Sequence, residues 1–219
     1  LSLVGSEMCI RDRVKTYMDG VIDNQKYMFS YHSGLNSTHP YQSAWYEWPL
    51  GNRPVWFYSG GQNPDTTKFG TISTFGNPAV WWICFAGTLT LFIMFLRNRF
   101  RLNAEIFFIF ACMASSMLPW MLISRCVFVY HYFATVPMII LASVYVLKHY
   151  EDKFYYIPLE RGDMISGGAK FVPKIKFIWL AAAIVLFAVF YPVISGIQVS
   201  REYIRALEWL PTWTFFGTW

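Results

Sequence analysis

The 219-residue sequence predicts an all-α polytopic membrane protein with four transmembrane helices. Three observations carry this. The chain is 55% hydrophobic and only 14% charged, whereas a soluble domain carries about a quarter charged residues. Four stretches are nearly free of charge, each roughly twenty residues long, enough to cross a bilayer. Lysine and arginine gather in the loops beside those stretches, which is how membrane orientation is encoded.

Residues 1–13 (LSLVGSEMCIRDR) do not fit the rest of the chain. They are too short and too broken by charge for a signal peptide. They resemble translated adapter sequence and are set aside from the fold prediction. The remainder reads as the C-terminal piece of a longer protein. Residues 14–35 form a weakly amphipathic helix: Tyr17, Val21, Met28, Tyr31 and Leu35 recur at near-helical spacing among Lys15, Asp19, Asp23 and Lys26. That helix is too polar to span and belongs on a surface or at a membrane interface.

Residues 36–76 are rich in proline and glycine and dense in aromatics, including Tyr41, Trp45, Tyr46, Trp48, Trp56, Phe57 and Tyr58. Trp and Tyr favour the membrane–water boundary, so this segment is expected as a loop on the bilayer surface. Asn36-Ser37-Thr38 is a formal glycosylation sequon.

The first span is expected at 78–96, started by Asn77 as cap and Pro78 at the first helical position. The second is expected at 104–123, with Glu105 at its entrance and Pro119 near its exit. The third, 126–147, carries His131 and is expected to kink at Pro137. The fourth is expected at 177–199. The tail, 200–219, holds Trp209, Trp213, Phe215, Phe216 and Trp219 and reads as interfacial.

The loops 97–103 and 148–176 hold nine of the 18 Lys and Arg residues. The positive-inside rule places both in the cytoplasm. The aromatic segment, the Ser124-Arg125 hairpin and both ends of the chain then face outward. A net charge of +5 distributed in this way is a topology signal and not a nucleic-acid signature. Cys84, Cys112 and Cys126 lie in or at apolar segments, where cysteine packs as a small hydrophobe. No CxxC occurs, and the spacing of His32, His39 and His131 supports no metal site.

Polar chemistry converges on the outer side at three places: the 39–50 segment, Arg125 with His131, and Tyr31-His32. Arg125 suits a phosphate, because its planar fork stays charged at any pH; its plainer role is snorkelling at a span end. His131 suits a hydrogen bond or a proton relay, or a structural bond to a neighbouring helix. If helix already covers Arg125, Phe128 and Tyr132 share its stripe and His131 points about 120° away. Trp45 and Trp48 suit stacking on a sugar or a place in the interfacial belt. Glu47 is the one acid in its motif, either a general base or an ordinary exposed carboxylate.

Four motifs appear in a recognisable order. They are Tyr31-His32-x-x-Leu35-x-x-x-His39-Pro40-Tyr41-x-Ser43-x-Trp45-x-x-Trp48-Pro49-Leu50, Gly76-Asn77-Pro78 with Trp81-Trp82, Arg125-x-x-Phe128-x-Tyr130-His131-Tyr132, and Tyr191-Pro192-x-x-Ser195-Gly196. Together they resemble the C-terminal four-span region of protein O-mannosyltransferases, especially the bacterial members, over residues 14–219. The resemblance implies the GT-C type fold of lipid-sugar-dependent glycosyltransferases. It implies transfer of mannose from polyprenyl (dolichyl-type) phosphate mannose to Ser or Thr of secreted proteins at a bacterial plasma membrane, with inversion and no cofactor. A carboxylate acts as base in that reaction. It belongs to an acidic pair in an N-terminal loop of the family, and no position here matches it, so the chain alone is expected to be inactive. Arg125 becomes the candidate for the donor phosphate, and His39, Gln42, Trp45, Tyr130 and His131 become candidates for lining the donor or acceptor path. The rival readings are another lipid-linked-sugar transferase of the same fold and a non-catalytic four-span scaffold or transporter fragment.

Overall fold

The computed structural model describes residues 2–34, 38–60, 67–97, 101–155 and 172–216, with side chains from residue 12 onward except at 152–155 and 172–173. Leu35, the sequon residues Asn36 and Ser37, Arg99, residues 156–171 of the basic loop, and Trp219 lie outside the described residues. The chain forms two compact units. The smaller comprises Leu1–Thr38 with Leu122–Cys126, and the larger His39–Met121 with Val127–Trp219.

The smaller unit is built on one long helix, α1 (Ser2–Ser33). It begins within the adapter-like stretch and continues through the predicted amphipathic segment. Tyr17, Tyr27, Phe29 and Tyr31 are all exposed on it.

The larger unit contains a feature that its sequence does not announce. Within the expected loop, β1 (Val55–Gly60) and β2 (Lys68–Thr74) pair antiparallel, from Val55 opposite Thr74 to Gly60 opposite Gly70. A short strand β3 (Val199–Ser200) adds to the far edge of β2. Proline and glycine density masked a hairpin whose strands are rich in Val, Trp, Phe, Tyr, Ile and Thr, the residues that strands favour.

Helix α2 (Pro78–Leu96) comes next. Its start is as expected: Asn77 Oδ1 accepts from the Ala79 N–H at 3.0 Å. Asn77 also donates through Nδ2 to the Ala183 carbonyl at 2.7 Å, so one side chain both caps α2 and ties it to a distant helix. Helix α3 (Ala104–Met121) starts on Asn103, whose Oδ1 accepts from the Ile106 N–H at 2.8 Å.

The third span departs most from expectation. Residues 122–128 are not helical, Val129–Ala134 form a 3-10 helix, and α4 (Val136–Tyr155) begins only after Thr135. Pro137 therefore lies in the first turn, where a missing N–H costs nothing, and not in a helix interior where it would kink the chain. The α-helical phase proposed between Arg125 and His131 does not apply, because no α-helix covers them. Conversely, α4 continues into the expected cytoplasmic loop as far as Tyr155.

Helix α5 (Val172–Ser195) starts before Phe177 and stops before Val199. Gly196 ends it with φ +77, the left-handed conformation that suits glycine. Pro192 interrupts the hydrogen-bond ladder inside α5. One turn back, the Tyr203 hydroxyl donates to the Val189 carbonyl at 2.7 Å. Tyr203 belongs to the last helix, α6 (Arg201–Ala206), which Ser200 caps by accepting from the Tyr203 N–H.

Among the described residues, three helices are long and apolar enough to cross a membrane: Pro78–Leu96, Ala104–Met121 and Lys174–Ser195. They keep most of their apolar side chains exposed, among them Phe92, Phe107, Phe108, Leu180, Ile184 and Val185. A surface of this kind is unfavourable in water and natural in lipid.

Among the described residues, two apolar clusters pack within the larger unit. One, of Leu91, Ile106, Ile109, Ala142 and Val146, joins α2, α3 and α4. Higher in the same helix pair, α2 and α4 approach closely at Gly87, where a Cβ would strike Ser143. The Ser143 hydroxyl bonds within this contact, to the Cys84 and Ile139 carbonyls at 3.1 and 2.9 Å. The second cluster unites Phe69, Phe190, Val193, Ile204, Leu207, Trp213 and Phe215. The tail was expected to rest at an interface. Instead Trp213 and Phe215 are buried, at 2% and 0% exposure. Trp213 donates through Nε1 to the Gly51 carbonyl at 2.9 Å, and the Thr71 hydroxyl donates to the Phe215 carbonyl at 2.7 Å. Packed against the hairpin, these rings have more to gain from protein than from the membrane surface.

Candidate functional site

The predicted residues divide between the two units. In the larger unit the 39–53 segment folds into consecutive turns. The Gln42 N–H donates to the His39 carbonyl at 2.9 Å, and the Glu47 N–H to the Ala44 carbonyl at 2.9 Å. The Glu47 carboxylate accepts from the Ala44 N–H at 2.7 Å. That bond gives Glu47 a turn-stabilising task in place of the general-base role considered from sequence. Arg53 stands with φ +53 directly before Pro54, an uncommon conformation for a residue with a Cβ. Its guanidinium donates to the Gln42 carbonyl at 2.9 Å and braces the turn.

His39 is exposed, and its Nδ1 accepts from the Tyr41 N–H at 3.2 Å. With Nδ1 accepting, Nε2 is the ring nitrogen left to donate. Gln42 Oε1 accepts from the His39 N–H at 3.3 Å, so these two candidates support each other. The Ser43 N–H donates to the Val127 carbonyl at 2.9 Å, which fastens the turns to the stretch preceding the 3-10 helix.

An aromatic series runs along that connection. His39 meets Phe128 edge-on at 5.1 Å, Phe128 stacks on Tyr130 at 5.4 Å, and Tyr130 leans on His131 at 4.5 Å. His131 then stacks on Trp120 with 3.8 Å between ring centroids and 21° between planes. His39, Tyr130 and His131 are thus brought into one series. Trp45 stands apart, half-buried, edge-on to Tyr46 at 5.6 Å. Trp48 is wholly buried and bonded through Nε1 to the Ser43 carbonyl and hydroxyl, at 3.2 and 3.0 Å. Burial removes Trp48 from both roles considered for it, sugar platform and interfacial belt. Trp120 and Arg53 were not anticipated, and nothing in their local sequence marks them.

In the smaller unit Arg125 is half-buried. Its Nη1 lies 3.0 Å from His32 Nδ1. A guanidinium has no acceptor, so His32 accepts. The Arg125 Nε is buried and has no hydrogen-bond partner among the described residues. Next to it, the Ser124 hydroxyl donates to the Ser33 carbonyl at 3.4 Å. Among the described residues no cluster of three or more His, Cys, Asp or Glu side chains has metal-binding geometry.

Residues 17–213 match the family model described as the C-terminal four TMM region of protein-O-mannosyltransferase. A polyprenol-phosphate-mannose–protein mannosyltransferase of Mycobacterium tuberculosis (strain ATCC 25618 / H37Rv) is 26% identical over 201 residues, covering 84% of this chain and 35% of that protein. Dolichyl-phosphate-mannose–protein mannosyltransferase 4 of Candida albicans is 28% identical over 217 residues, covering 88% of this chain and 27% of that protein. The solved structure of the S. cerevisiae protein O-mannosyltransferase Pmt1-Pmt2 complex bound to the sugar donor superposes with a TM-score of 0.67 at 20% identity. It covers 91% of this chain and 27% of that one, and it establishes a shared fold. This chain spans about a third or less of the length of these relatives. With the family model matched over nearly its whole length, the chain belongs to the family of C-terminal four-TMM regions of protein O-mannosyltransferases.

Proposed function

We propose that this chain is the C-terminal part of an enzyme that transfers mannose from polyprenyl-phosphate mannose to Ser or Thr hydroxyls of secreted proteins. The match to the family model over residues 17–213 carries this reading. The protein works as a multi-pass integral membrane protein of a bacterial plasma membrane. Its loops 97–103 and 148–176 face the cytoplasm, and its aromatic segment and both ends face outward. The charge distribution along the chain supports that orientation.

Arg125 contacts the donor phosphate. As the glycosidic bond breaks, the leaving phosphate gains negative charge, and a fixed cation lowers the energy of that charge. The permanent charge of Arg125 and its buried Nε, unpartnered among the described residues, support this role. His39, Gln42, Trp45, Tyr130 and His131 line the approach of donor or acceptor. The aromatic series supports His39, Tyr130 and His131 as a group. Glu47, tied into its turn, is not offered as the base. The base comes from the part of the enzyme outside this region, so the 219-residue chain shows no turnover by itself.

The test is mannose transfer by membranes containing the full-length enzyme, from polyprenyl-phosphate mannose to a Ser/Thr peptide. Product on the hydroxyl is expected. Product on a glycan or lipid instead makes the protein a different transferase of the same fold. Arg125→Ala is expected to reduce turnover by at least tenfold, the scale of one charge-assisted contact, with unchanged protein in the membrane. Undiminished turnover would leave Arg125 an interfacial anchor.

A further inference from the structure

We infer that His32 is the positioning residue for Arg125, holding one edge of the guanidinium so that the remaining N–H groups meet the donor phosphate. This rests on the phosphate reading of Arg125 above.

Three observations lead here. Arg125 Nη1 is 3.0 Å from His32 Nδ1, a direct contact between side chains 93 positions apart in sequence. Arg125 Nε is buried and unpartnered among the described residues. His32 itself is braced edge-on by Tyr31 at 5.3 Å, and Tyr31 stacks on Tyr27 at 6.3 Å. The imidazole is thus fixed by its own helix.

The identity of the partner matters. A carboxylate in the place of His32 would neutralise the guanidinium and leave little field for an incoming anion. A neutral imidazole accepts one hydrogen bond and leaves the positive charge whole. An arginine on its long stem also loses considerable rotamer freedom when it binds. Anchoring Nη1 in advance removes part of that cost, which is the advantage of a preorganised site. A phosphate oxygen would then satisfy the buried Nε–H. The plainer role of the contact is to fasten the last turn of α1. Ser124 performs that task independently, through its bond to the Ser33 carbonyl.

The two roles separate by measurement. Binding of polyprenyl-phosphate mannose is measured on the full-length enzyme in nanodiscs for wild type, R125A, H32A, H32N and S124A. An asparagine at position 32 restores an acceptor near the place of Nδ1. R125A and H32A are expected to bind about tenfold more weakly, the scale of a hydrogen bond to a charged group. H32N and S124A are expected to stay within about threefold of wild type, below that scale. Unchanged binding by R125A would remove the phosphate reading and this inference with it. Weak binding by R125A with full binding by H32A would leave the phosphate reading intact and overturn the role of His32. Weak binding by H32N, or by S124A to the same degree as H32A, would also overturn it, since docking of α1 would then be the cause.

Discussion

His131 lies face to face with Trp120, 3.8 Å between centroids, while the Trp48 ring is tilted against it at 5.9 Å between centroids. The histidine of the predicted third span is therefore flanked by two indoles. Stacking of this kind is worth about 0.5–1.5 kcal/mol beyond simple burial. His131→Phe, which keeps the flat ring, is expected to lower the melting temperature in detergent less than His131→Ala does. His131→Ala is expected to lower it clearly. If the imidazole also serves the reaction, the Phe variant of the full-length enzyme loses turnover while it stays folded. Retained turnover would make His131 structural.

Trp213 closes the second apolar cluster and bonds the Gly51 carbonyl. Trp213→Ala should cost about 3–5 kcal/mol, the usual range for a large buried aromatic. Trp213→Phe should cost less and leave the Gly51 carbonyl without this donor. Thermal unfolding in one detergent orders the three proteins. A mild effect of the alanine would mean that the tail does not hold the hairpin.

Gly87 has no room for a Cβ beside Ser143. Gly87→Ala is expected to force α2 and α4 apart at about 1–3 kcal/mol, a typical cost of overpacking. Adding Ser143→Gly should recover part of that loss. Additive effects in the double variant would exclude a direct contact between the two positions.

Asn77 performs two tasks that substitution can divide. Asn77→Asp keeps the oxygen that caps α2 but removes the donor to Ala183. Asn77→Ala removes both, and a lost cap alone costs about 1 kcal/mol. Asp is expected to fall between wild type and Ala in thermal stability. Equal stability of the Asp variant and wild type would show the Ala183 bond to be dispensable.

Much of the helical frame was legible because charge is expensive in lipid, and uncharged length is easily seen in a sequence. The cap at Asn77 and the onset of α2 and α3 follow from local rules, and the structure bears them out. The hairpin of β1 and β2 was hidden by the proline and glycine around it, and the strand that extends it, β3, lies more than a hundred residues away. The fate of the tail was hidden for the same reason: Trp213 and Phe215 look interfacial until the hairpin that covers them is known. Arg125 was recognisable as a costly cation. Its partner His32 was visible only as one histidine among four, since no spacing rule links positions so far apart.

The late start of α4 has a consequence for the third crossing. Its apolar part, Val136–Leu147, rises only about 18 Å as α-helix, short of a hydrocarbon core of about 30 Å. The 3-10 stretch Val129–Ala134 adds about 12 Å more, which closes the gap. Backbone of that kind is tolerated at bilayer depth only beside protein or in a wet cavity. Ser116 and Thr135, joined by their hydroxyls at 2.9 Å, already supply polar company there. Of those two settings the chain supplies the first: Val129 and Tyr132 within the 3-10 stretch and Thr135 after it are buried against the fold, so this non-α backbone is covered by protein.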